Sequence, residues 1–235
     1  MIVNKQPLGL IYNEEIRLFL QKRGGICIAG SKRHCEANNK YMKNYTSEEQ
    51  SNFILYLDMN GLYAGAMTDY LPHNILGFDD DVKLDEIMKL PLNGDIGYFV
   101  EVDIEIPREL HSYLKDYPPC PENMNIKYEW LDDYQKNILK INNNKFSKDN
   151  KKLVLNLFDK TNYFCHYKYL QCIEKLGIKI TRLNKALKFE QSQWMKPFID
   201  LNQKLRAQAK NKFEQGLLSE RTYKLIIAGT KESMR

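Results

Sequence analysis

The clearest pattern in the chain is an alternation. Between residues 97 and 107, Val100, Val102, Ile104 and Ile106 alternate with Glu101, Asp103 and Glu105. Side chains on a strand repeat every two residues, so this segment predicts a strand with one apolar face and one acidic face. A different pattern stands at Phe53-Ile54-Leu55-Tyr56-Leu57, an unbroken apolar run closed by Asp58. Such a run predicts a central strand buried on both faces. Asn60-Gly61 then predicts a turn, Leu62 to Tyr70 a helix, and Leu71-Pro72 the end of that helix.

Helical spacing occurs near both ends. Residues 6–22 predict a helix with Glu14, Glu15 and Arg17 exposed and Leu18, Phe19 and Leu20 partly buried, broken by Arg23-Gly24-Gly25. From about Gln193 to Gln215, the residues Trp194, Phe198, Leu201, Leu205 and Ala209 form an apolar stripe, with Lys196, Arg206 and Lys210 on an adjoining face. Between these, 31–52 reads as loop, Pro118, Pro119 and Pro121 mark another loop, and Ile141 to Lys152 reads as an exposed linker. Residues 161–176 mix strand and helix signals, and Ile178, Ile180 and Leu183 predict a further strand. This irregular order of elements predicts an α+β fold.

Composition adds little constraint. The 235 residues suffice for one large or two small domains. Thirty-five basic against 30 acidic residues give a net charge of +5, which permits nucleic-acid binding without requiring it. The 15 tyrosines suit base stacking or a core with polar tips. The five cysteines form no CxxC pair, so free thiols in a reducing compartment are expected, not a zinc site. No stretch is apolar over the roughly 18 residues of a membrane helix, and the opening MIVNKQPLGL is too polar for a signal peptide. An intracellular protein with no membrane partner is expected.

The candidate chemistry gathers at Asp58. A carboxylate at a strand end, beside a backbone carbonyl, suits a hard divalent ion, which takes oxygen ligands from rigid elements. The plain alternative is that Asp58 or Asn60 caps the following helix. The stretch Tyr56-Leu57-Asp58-Met59-Asn60-Gly61-Leu62-Tyr63-Ala64-Gly65-Ala66-Met67, followed by Leu71-Pro72, resembles the first polymerase motif of family B DNA polymerases. It is closest to the protein-primed type found in bacteriophages, linear plasmids and self-synthesising DNA transposons. The resemblance implies a palm sheet with flanking helices, an inserted subdomain and a fingers-like C-terminal helix.

It also implies roles. Asp58 would bind two Mg2+ ions, with the carbonyl of Met59 completing one shell, for in-line nucleotidyl transfer to a primer 3′ hydroxyl. Leu62 and Tyr63 would meet the incoming nucleotide, the Tyr63 ring excluding a 2′ hydroxyl. Lys22-Arg23-Gly24-Gly25 resembles the family's Tyr-x-Gly-Gly element, without its aromatic residue, so Arg23, Gly24 and Gly25 would contact DNA phosphates. Arg206 to Glu214 resembles the fingers helix, giving Arg206 and Lys210 to DNA. Lys224 stands for the family's triphosphate-binding lysine, with Gly229 at shortened spacing. Primer-template DNA, deoxynucleoside triphosphates and a priming protein are the implied partners.

The expected organisation is a lead-in over 1–50, a palm portion over 51–110, an insertion meeting the priming protein over 111–190, and fingers over 191–235. The family's Asp-Thr-Asp motif does not occur before Arg235, so the chain as written is expected not to extend primers. Two other readings stand beside this one: a non-catalytic nucleic-acid binder, and a small metal nuclease pairing Asp58 with Asp103 or Glu101.

Overall fold

The computed structural model describes residues 6–20, 26, 35–142, 146, 151–213 and 216. In chain order its elements are α1 (Glu14–Leu20), α2 (Leu62–Met67), β1 (Leu71–Phe78), α3 (Leu84–Met88), β2 (Ile96–Glu105), α4 (His111–Leu114), β3 (Glu122–Asn125), α5 (Asp133–Ile141), β4 (Lys151–Val154), β5 (Lys160–His166), α6 (Tyr167–Lys175), β6 (Lys179–Ser192) and α7 (Lys196–Gln208). The fold is α+β. Four antiparallel strands form the main sheet in the order β1-β6-β2-β5, and β3 with β4 forms a separate small sheet.

The alternating segment became β2, and Val100, Val102, Ile104 and Ile106 are buried as expected. The opposite face is not the open acidic one foreseen: Glu101 is also buried. Helix α1 lies over it. Phe19 is 4% exposed and meets Phe78 and Phe164 edge-on, with ring centroids 5.4 and 5.0 Å apart. Phe164 stands opposite Glu101 in the ladder and stacks on Phe99 at 5.7 Å. Lys185, across from Glu101 on β6, reaches Glu15 of α1 at 3.0 Å.

Helix α6 completes the core. Its residues Leu170 and Ile173 are buried with Tyr167, against Ile87 of α3 and the β2 side chains. Burying one such large side chain contributes ~1.5–3 kcal/mol, whereas an exposed, solvent-screened pair such as Lys185 with Glu15 contributes little. The sheet-helix core, not the surface ion pairs, therefore holds the fold. Gly97 fits here for a packing reason: a Cβ would lie 2.5 Å from the Phe189 ring and 2.9 Å from that of Tyr167.

Several expectations are corrected. Phe53 to Leu57 is not a buried strand: these side chains are 59–89% exposed and join no ladder among the described residues. A strand needs a hydrogen-bonding neighbour, and this segment has none among the described residues, where β1, β6, β2 and β5 build the main sheet. The first helix begins at Glu14, and residues 6–13 are not helical. The second ends at Met67, and Leu71-Pro72 opens strand β1. Proline is tolerated there because β1 is an edge strand.

Strands β5 and β6 both fall within 160–192, so the range 111–190 supplies half of the main sheet. Outside that sheet, β3, β4 and α5 make a small lobe. Helix α5 starts with a reciprocal cap in which Asp132 accepts the Gln135 N–H at 2.8 Å and Gln135 Oε1 accepts the Asp132 N–H at 3.2 Å. Cys35, Cys120, Cys165 and Cys172 are free thiols, as expected, and Cys27 lies outside the described residues. No helix of the described residues is long and apolar enough to cross a membrane.

Candidate functional site

Asp58 sits in an exposed segment, outside any helix or strand, that runs into a turn at Asn60-Gly61. The Met59 carbonyl accepts the Leu62 N–H at 3.3 Å, and the Gly61 carbonyl accepts the Gly65 N–H at 2.8 Å. Gly61 makes the reversal at φ 67°, a left-handed conformation that glycine adopts without Cβ strain. Helix α2 has no side-chain cap, so neither Asp58 nor Asn60 caps it. Leu62 and Tyr63 are 55% and 64% exposed at the start of the helix. Asp58 before the turn and Leu62 and Tyr63 just after it are thus all accessible.

Contacts not foreseen from sequence tie the segment after α2 to the end of β6 and to α6. Gln193 Nε2 donates to the Thr68 carbonyl at 3.0 Å, and Trp194 Nε1 donates to the Pro72 carbonyl at 3.3 Å. Lys168 pairs with Asp69 at 3.0 Å. Burial opposes ionisation of Asp69, but the Tyr70 N–H and the Lys168 ammonium outweigh it and hold the carboxyl below its usual range. Helix α7 packs against α2 and carries Arg206 in an exposed position; it ends at Gln208, so Lys210, expected on the same helical face, lies beyond an extended Ala209 and is exposed off the helix. Trp194, expected within the stripe of that helix, precedes it and acts as a latch. Its polar tip was the available signal.

Other candidate residues stand elsewhere. Arg23, Gly24, Gly25, Lys224 and Gly229 lie outside the described residues. Asp103 is engaged on the sheet: its Oδ1 accepts the Asn162 N–H at 2.9 Å and Asn184 Nδ2 at 2.8 Å. Those bonds hold its carboxyl below the usual range, the Asn162 N–H first. Among the described residues no three His, Cys, Asp or Glu side chains form a group able to hold a metal ion. Asp58 and the Met59 carbonyl are donors that suit one hard ion shared with a triphosphate. They do not suffice for a pair of ions held by protein ligands alone.

The profile of the family described as DNA polymerase type B, organellar and viral, matches residues 20–227. The chain belongs to that family of type B DNA polymerases. No curated protein and no solved structure matches it. Membership implies a nucleotidyltransferase lineage that uses divalent metal, template-primer DNA and deoxynucleoside triphosphates.

Proposed function

We propose that this chain is the nucleotide-binding and template-binding portion of a DNA polymerase, with Asp58 as the carboxylate that meets metal-bound triphosphate. The observation that carries this reading is the accessible turn joining Asp58, the Met59 carbonyl and Tyr63 within the matched region. Bound Mg2+ would supply charge neutralisation at the triphosphate. Asp58 would orient that complex, and the rigid Tyr63 ring would face the sugar and disfavour a 2′ hydroxyl. Arg206 on α7 and Lys210 beyond its end, with Arg23, Gly24 and Gly25, would meet DNA phosphates, and Lys224 the triphosphate. The inserted part of 111–190 would meet a priming protein.

The 235 residues alone do not extend primers in this reading, because among the described residues no three His, Cys, Asp or Glu side chains gather to hold the ions. Calorimetric titration with deoxynucleoside triphosphate tests the assignment. Binding is expected to require Mg2+ and to be lost in Asp58→Asn, and equal binding by that variant overturns it. Primer extension by the wild-type chain that vanishes in Asp58→Asn overturns the proposed inactivity.

A further inference from the structure

The small lobe carries a surface that the Asp58 turn does not use. Tyr128 and Trp130 are 41% and 47% exposed on the link between β3 and α5. Lysines are placed over their rings: Lys127 Nζ is 5.5 Å from the Trp130 ring centre, and Lys136 Nζ is 5.6 Å from that of Tyr128. Phe146 meets the Tyr128 ring edge-on at 5.5 Å and steadies it. Lys140 follows Lys136 by one helical turn and so lies on the same face of α5. Lys151 on β4 pairs with Asn125 on β3, and Asn125 is two residues from Lys127. The sequence from 127 to 152 contains seven lysines and four acidic residues. One of the four, Asp132, is committed to the helix cap, while Glu129 and Asp133 are exposed.

Half-exposed aromatic rings flanked by ammonium groups suit a ligand with alternating flat apolar faces and negative charges. A single strand has that character, since its bases are free to stack while its phosphates meet lysine. A duplex has its base faces already stacked. We propose that the small lobe binds single-stranded DNA, with bases stacking on Trp130 and Tyr128 and phosphates meeting Lys127, Lys136, Lys140 and Lys151. This contact does not depend on Asp58 or on polymerase activity.

The test uses the full chain carrying Trp194→Phe, which leaves Trp130 as the sole tryptophan of the two. Titration with an oligo-dT is expected to quench its emission, while a duplex of equal length quenches it far less. In separate anisotropy titrations with labelled oligo-dT, Trp130→Ala is expected to weaken binding about tenfold and Trp130→Phe to restore most of it. Lys136→Ala with Lys140→Ala is expected to lower the salt slope by roughly 0.7 per lysine. The proposal is overturned if oligo-dT binds without changing Trp130 emission, if the duplex quenches equally, or if the alanine variants bind as wild type. Absence of any oligonucleotide response also overturns it and leaves the face to a protein partner. Binding confined to Arg206 and Lys210 would preserve the proposed function while overturning this contact.

Discussion

Lys160 places its ammonium 2.7 Å from Oε1 of Glu122, with the lysine side chain 1% exposed and the glutamate 32% exposed. This bond ties β3 of the small lobe to β5 of the main sheet, and Asn156 adds a second acceptor for Lys160. The two partners are not equivalent. Glu122→Ala leaves a buried ammonium with less compensation, whereas Lys160→Met leaves a carboxylate that reaches water. Breaking a fully buried pair costs about 3–5 kcal/mol, and the partial exposure here points to the lower end. Chemical denaturation is expected to show Glu122→Ala as the more destabilising change. Equal losses in the two variants would contradict this asymmetry.

His166 predicts a pH window. Burial first, then Lys168, lowers its folded pKa from 6.5 to about 4, and Asp69 opposes the shift. Its Nδ1 accepts the Lys168 N–H at 3.2 Å as the cap of α6, which requires the unprotonated nitrogen. Between pH 4 and 6.5 the unfolded chain binds the additional proton, so stability rises with pH. The contribution is complete above about pH 6.5 and is lost as pH falls toward 4, with a size on the order of 3 kcal/mol. His166→Asn retains a capping side chain and is expected to flatten denaturation free energy across that window. An unchanged slope would remove His166 as its source.

Sequence legibility followed the strength of local pattern. Strand β2 was readable because its core-facing residues repeat at period two. Strand β1 was hidden by Pro72 and by register shifts around Asn74 and Gly77, the latter at φ 124°. The Phe53–Leu57 run misled because hydrophobicity reports a preference for burial but does not identify a pairing strand. At the candidate site, Asp58, Leu62 and Tyr63 could be nominated together because they lie within one short motif. The Gln193–Thr68 and Trp194–Pro72 bonds join residues more than 100 positions apart, which local periodicity does not register.

Gly97 predicts a packing defect. A Cβ would meet two buried aromatic rings, of Phe189 and Tyr167, and neither ring is the free end of a flexible chain. Tyr167 is further held by its hydroxyl, which donates to the Pro91 carbonyl at 3.1 Å and accepts Gln191 Nε2 at 2.8 Å. Overpacking of this kind costs about 1–3 kcal/mol. Gly97→Ala is therefore expected to lower the thermal midpoint by several degrees. A midpoint equal to wild type would mean that the rings yield.

Asp58 separates site from scaffold. It is exposed, it caps no helix, and the turn that follows is built from backbone bonds of Met59 and Gly61. Asp58→Asn is expected to change stability by no more than about 0.5 kcal/mol while abolishing Mg2+-dependent triphosphate binding. Phe19→Ala provides the contrast. That ring is buried between Phe78 and Phe164, and its removal is expected to cost roughly 3 kcal/mol without altering triphosphate affinity of the folded fraction. Denaturation curves and calorimetric titrations on both variants check the pair. Loss of stability in Asp58→Asn comparable to that in Phe19→Ala would identify Asp58 as part of the scaffold and withdraw it from the site.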